Sequence, residues 1–252
     1  MRSHLPQKHV ASEMFYSNSS SQPGETAPQL TPVQSTSLLT CFWRDRELRT
    51  ESEPLARDTI AASLLDAFMP AAARAEQEAS PLLADGQAIL AVRTRAIDDW
   101  LEAPHPLWQD PSSGRTAGHT APPRRQIVSL GAGMCTRPYR LGAAALSGAV
   151  VFEVDDGSLL GSKRRALAAN GHAPFPSSSV VNVPADAADA AAVGEALAAA
   201  GLDENLPTAW VAEGLLEYLA PEPCHGALFA MAKERGGAPG SRFIAQVRQL
   251  SW

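Results

Sequence analysis

The chain has 252 residues, 45% of them hydrophobic, with 21 basic and 27 acidic residues and a formal net charge of −6. That length holds one large core, or a core with a small helical lobe, and the acidic balance with no long Lys/Arg run excludes a nucleic-acid partner gripped mainly through its phosphates; nothing argues for a membrane surface. Cys41, Cys135 and Cys224 are widely spaced and odd in number, which excludes a disulfide framework or zinc spacing and points to a reducing, cytoplasmic setting, while no apolar run approaches the ~18 residues of a transmembrane helix.

Residues 1–36 are rich in Ser, Pro, Gln and Thr without apolar periodicity, and read as a disordered tail. Arg2 and Lys8 with no acidic residue before Glu13 keep a transit peptide open, although no secretory signal core is present. Residues 37–102 form a helical cap in this reading. Leu38, Leu39, Phe42, Trp43, Leu55, Ile60, Leu64, Leu65 and Phe68 recur at helical spacing and predict two or three short helices, and Gln87 to Leu101 predicts another. Residues 103–125, rich in Pro, Gly, Ser and Thr, read as a flexible linker or insertion.

Residues 126–252 alternate strand and helix. Strands are expected at 126–130, 149–154, 180–183, 208–212 and 242–247, and helices at 138–146, 158–170, 187–200 and 221–233. Gly171 and Gly201 stop two of these helices and Pro221 starts a third. Regular alternation implies an α/β fold, a Rossmann-like parallel sheet with right-handed crossovers. The fifth strand has few residues after it and would be an exposed edge.

In such a sheet ligands lie beyond the carboxyl ends of the strands. Those ends carry Gly131-Ala132-Gly133, Glu153 and Asp155, Asp186, and Glu213. Four acidic positions on one rim suit ribose hydroxyls, an adenine amino group and a cationic ligand, and suit a pyrophosphate poorly. Thr136 occupies the third position of the dinucleotide fingerprint, which counts against NAD or FAD. A glycine turn followed by an acidic strand end fits adenosine without a diphosphate, as in S-adenosyl-L-methionine, whose sulfonium is cationic. Asp155 is read as a ribose ligand, with a helix-capping role before Gly157 as the alternative; Asp186 is divided evenly between capping and ligand. Glu213 ends an apolar strand and needs a ligand or an Arg partner. The histidines form no metal-ligand pair, and Ser129 and Cys135 lack a base nearby in sequence.

These motifs together resemble the leucine carboxyl methyltransferase family, in its bacterial-type branch. LGAGMCTRPYRL at 130–141 is similar to that family's LGAGxDTRxxRL. FEVD at 152–155, KRRAL at 163–167, VPAD at 183–186, PTAWVAEGLLEYL at 207–219, PGSRF at 239–243 and ILAVRTRAIDDWL at 89–101 add to it. The resemblance covers about residues 38–250 apart from the insertion. It implies S-adenosyl-L-methionine as cofactor, with Arg93 on its methionine carboxylate, Gly131 and Gly133 in the turn beneath it, Asp155 on the ribose, Asp186 and Ala187 at the adenine, and Glu213 near the methionyl end. The family has Asp where this chain has Cys135, and further strands beyond the fifth, so the chain reads as C-terminally truncated.

Methyl transfer from a sulfonium is an in-line displacement, and an acceptor carboxylate is already ionised at neutral pH, so no catalytic base is needed. The expected activity is O-methylation of a carboxyl group on a small molecule or protein. Arg137 and Arg140 are candidates to orient that carboxylate, unless they form a solvated helix face. The competing reading is a catalytically degenerate binding or scaffold protein of the same fold. A nicotinamide-dependent oxidoreductase is disfavoured by Thr136 and the acidic rim.

Overall fold

The computed structural model describes residues 30–80, 83–104 and 125–246. The predicted tail up to residue 29, the body of the predicted linker and the last six residues lie outside the described residues.

The cap opens with α1 (Pro32–Thr50). Thr31 Oγ1 accepts from the Gln34 backbone N–H, and Gln34 Oε1 accepts from the Thr31 N–H at 2.8 Å, a reciprocal cap that satisfies two otherwise orphaned donors. Pro32 follows at the first helical position. Residues 32–36, expected to be disordered, are therefore helical. The two or three short helices expected up to Phe68 are instead this 19-residue helix and α2 (Ala61–Phe68). The next two helices are α3 (Ala71–Glu78), which the sequence did not signal, and α4 (Leu83–Glu102), which begins ahead of the expected Gln87.

Five strands form one parallel sheet: β1 (Arg125–Leu130), β2 (Ala149–Asp155), β3 (Ser179–Pro184), β4 (Thr208–Ala212) and β5 (Arg242–Ala245), in the order β3-β2-β1-β4-β5. The chain walks outward from β1 to β3 and then returns to lay β4 on the other side of β1. The switch point lies between β1 and β4, where open α/β sheets bind ligands. As expected, β5 is an edge, pairing only with β4 among the described residues.

The predicted helix at 138–146 is two single turns, α5 (Arg137–Arg140) and α6 (Ala143–Leu146), because Leu141 turns extended and Gly142 follows. The others are α7 (Gly157–Ala169), α8 (Ala190–Ala199) and α9 (Gly226–Gly236), the last preceded by a π-turn at Pro221–His225. Pro221 therefore starts that turn and not the α-helix.

Alternating strand residues build two cores. Val128, Leu130, Phe152, Val154 and Trp210 pack with Val193, Leu197, Leu228 and Met231 of α8 and α9. Ile127, Val151, Ala209 and Val211 pack on the opposite side with Leu146 and with Ile97 and Leu101 of α4. A third cluster is shared across the cap boundary: Leu38, Phe42, Leu64, Leu65 and Phe68 enclose Met134, Leu159 and Leu167. Among the described residues no helix is long and apolar enough to cross a membrane.

Candidate functional site

A cavity of about 730 Å³ opens at the switch point, within the ~300–1,000 Å³ usual for small-molecule sites. Its floor is the turn after β1. Gly131 and Gly133 have left-handed φ of 61° and 45°, which an L side chain adopts only at a cost. The turn is tied inward: Ala132 N donates to the Val154 carbonyl at 3.0 Å, and Cys135 N to the Ala132 carbonyl at 2.9 Å. Asp155 Oδ2 accepts from Gly133 N at 2.7 Å and its Oδ1 from Asp156 N, also at 2.7 Å.

Capping of α7 falls to Asp156, whose Oδ1 accepts from the backbone N–H groups of Ser158 and Leu159. The Ser158 hydroxyl and the Leu159 N–H hold its carboxyl below the ordinary range. Asp155 is thereby released to face the cavity. The same division occurs after β3, where Asp189 caps α8 and Asp186 Oδ1 accepts the local Ala188 N–H at 2.9 Å. The capping alternative is thus overturned at both predicted ligand positions.

Glu213 finds arginine partners. Its Oε1 accepts from Arg93 Nε at 2.8 Å and its Oε2 from Arg137 Nη1. Burial alone would raise its pKa, but the Arg137 and Arg93 charges outweigh burial and hold it at about 2. Arg137 Nε continues to Asp98 at 2.6 Å, Asp98 binds Arg140 at 2.7 Å, and Arg140 Nε donates to Thr136 Oγ1 at 3.2 Å. Thr136 and Arg44 both donate to Asp58, at 2.7 and 2.8 Å. An unbroken relay of buried charge therefore joins the cap to the sheet. It also corrects the acceptor role considered for Arg137 and Arg140: both are more than nine-tenths buried, held by carboxylates, and absent from the cavity wall.

A second correction concerns Glu153. It lies two residues inside the end of β2, 1% exposed and paired with Lys163 at 2.7 Å, and does not reach the rim. The acidic wall consists of Asp155, Asp156, Asp186, Glu213 and Glu217, against Arg44 and Arg93. All seven residues predicted to meet the cofactor, Arg93, Gly131, Gly133, Asp155, Asp186, Ala187 and Glu213, line this one cavity.

The sequence reading missed the opposite wall. Thr31, Gln34, Thr36, Ser37, Thr40 and Arg44 of α1 and its cap face the same space. Tyr218 reaches across to donate to Thr36 Oγ1 at 3.1 Å. The signal was present in Thr31-Pro32-Val33-Gln34, a capping box with proline at the first helical position. A methyl group added at Gly133 would sit 2.8 Å from Ser37 Cβ. Gly133→Ala is therefore expected to cost about 1–2 kcal/mol in the backbone alone and further crowding against α1. A thermal melt checks this, and an unchanged midpoint would show that α1 yields freely.

The model of the family described as leucine carboxyl methyltransferase matches residues 37–232. The chain belongs to the leucine carboxyl methyltransferase family. Among curated relatives, a Mycolicibacterium gilvum protein named "Putative S-adenosyl-L-methionine-dependent methyltransferase" is 35% identical over 205 residues, covering 77% of this chain and 58% of the relative. A Mycolicibacterium paratuberculosis protein of the same name is 39% identical over 166 residues, covering 66% and 46%. The chain thus spans about half the length of the curated relatives it matches. A crystal structure of a DUF574 family protein from Streptomyces avermitilis matches with a TM-score of 0.47 and 19% identity, over 84% of this chain and 69% of that one.

Within this leucine carboxyl methyltransferase family chain, Cys135 occupies the turn position where the resemblance placed an aspartate. Its Sγ accepts from Arg137 Nη1 at 3.6 Å. Arg137 keeps Asp98 and Glu213 as carboxylate partners, so the charge relay closes without an acid at 135.

Proposed function

We propose that the chain is a cytoplasmic S-adenosyl-L-methionine-dependent methyltransferase that transfers to oxygen, with a carboxyl group of a small molecule or protein as acceptor. The observation that carries this reading is the convergence of the glycine turn, Asp155, Asp186, Arg93 and Glu213 on one cavity at the switch point. The residues fit the cofactor: the turn presents no side chain to the cavity floor at 131 and 133, and Asp155 brings to the cavity wall a carboxylate of the kind that accepts from a ribose diol. Five carboxylates against two arginines on the wall favour a cationic ligand.

Asp155 would hold the ribose hydroxyls, and Asp186 with Ala187 the adenine. Arg93, steered by Glu213 and by Gln246 Oε1 at 2.6 Å, would take the methionine carboxylate. The cofactor supplies an electrophilic methyl group open to in-line displacement. The protein positions the acceptor and excludes water from the path, the task of α1 across the cavity. An ionised carboxylate acceptor needs no base.

The chain is expected to bind S-adenosyl-L-methionine and S-adenosyl-L-homocysteine in calorimetric titration with a micromolar Kd, about −8 kcal/mol. No heat from a folded sample overturns the reading. Binding with no turnover against any carboxyl acceptor favours the binding-protein alternative, and turnover on nitrogen or carbon acceptors alone removes the carboxyl assignment.

A further inference from the structure

Two buried cations hold adjacent carbonyls of the glycine turn. Arg44 Nη2, from the cap, donates to the Met134 carbonyl at 2.8 Å. Lys163 Nζ, from α7, donates to the Cys135 carbonyl at 3.3 Å and to Glu153 Oε1 at 2.7 Å. Each cation has its own buried carboxylate, Asp58 for Arg44 and Glu153 for Lys163. Lys163 is 0% exposed.

A buried lysine–glutamate pair is a poor way to stabilise a core. Desolvating both charges offsets their attraction, and apolar side chains of like volume are often as good or better. The pair alone therefore gives little reason for lysine at 163. Its third contact does. The turn contains two glycines in left-handed conformation, so its backbone has many alternatives. Asp155 fixes it from one end through Gly133 N, and the Cys135 carbonyl is its other end.

We propose that Lys163 is a positioning residue that holds the 131–136 turn, through the Cys135 carbonyl, in the shape that receives the cofactor. This rests on the reading that the turn receives S-adenosyl-L-methionine. Glu153 serves Lys163 and does not touch the cavity.

The test uses the full chain with two variants, Glu153→Gln and the double replacement Glu153→Leu/Lys163→Met, each followed by melting, titration with S-adenosyl-L-homocysteine, and amide hydrogen exchange without ligand. The double variant removes both charges and is expected to melt near wild type. It should nevertheless bind at least about tenfold more weakly and lose protection at the Gly133 and Cys135 amides, with the β1 amides unchanged. Glu153→Gln leaves Lys163 on the carbonyl and should melt lower yet bind like wild type. A merely structural role predicts the reverse, with affinity following the melting temperature in both variants, and that result overturns the proposal. Wild-type protein that does not bind would overturn the cofactor reading. The exchange data then decide separately whether Lys163 holds the turn, and protected Gly133 and Cys135 amides in the double variant would refute it.

Discussion

Glu213→Ala is expected to unfold the protein more readily than any other single change at the cavity. It removes the carboxylate shared by Arg93 and Arg137 and leaves two guanidinium groups facing each other with little water to screen them. Breaking a buried pair from one side costs about 3–5 kcal/mol, a large part of the ~5–15 kcal/mol that keeps a domain folded. At about 2–4 °C per kcal/mol for a chain of this size, the melting temperature should fall by roughly 10 °C. Glu213→Gln isolates the charge. Because the Glu213 pKa is depressed to about 2 in the folded protein, its contribution is present above the ordinary value of 4.5 and is lost as pH falls toward 2. Asp58 acts in the same direction: burial would raise its pKa, but Arg44 and Arg140 bring it below the ordinary value. Denaturant unfolding measured from pH 5 to 2 should therefore fall less steeply in the Gln variant than in wild type. Equal slopes would show that Glu213 does not titrate between the folded and unfolded states.

Asp155→Asn should leave the fold nearly intact and strip away cofactor affinity. Asp155 lies at the end of β2, its backbone already secured by the β3 ladder. A charge-assisted hydrogen bond is worth about 1.5–3 kcal/mol, so loss of the ribose contact predicts binding weaker by about ten- to a hundredfold. The Ala variant should be worse, because Gly133 N also loses its acceptor. Calorimetric titration beside a thermal melt separates the two effects. An Asn variant that binds with the wild-type Kd would remove Asp155 from the ribose role.

The sheet was legible because its signals are local. β4 runs Thr208–Ala212 as expected, and the glycine stops at 171 and 201 have φ of 76° and 94°. Six of the seven predicted contacts reach one cavity because strand ends in a parallel sheet share a rim, and the seventh, Arg93 of α4, is drawn to that rim by Glu213. Partner choice was less legible. Nothing in the spacing says that Lys163 takes Glu153, or that Arg137 turns inward to Asp98, since such pairs form between different elements and depend on how these pack. Asp155 and Asp156 are adjacent carboxylates, and only the path of the backbone decides which one caps α7. The wall built by α1 was hidden for another reason. Gln34 and Thr36 are polar because they face a cavity, and polarity up to residue 36 was read as disorder.

The relay from Glu213 to Arg44, together with the apolar cluster shared by Phe42, Leu65, Met134 and Leu167, has a consequence for how this scaffold can be altered. The cap is not a detachable module. A foreign cap grafted onto this sheet would bring no Asp98 for Arg137, no Asp58 for Thr136 and no Arg44 for the Met134 carbonyl, and the graft would collapse at the seam before its specificity could be read. The cavity is better reshaped one residue at a time, at α1 positions that face it without joining the relay's ion pairs. Thr36 and Ser37 are of that kind.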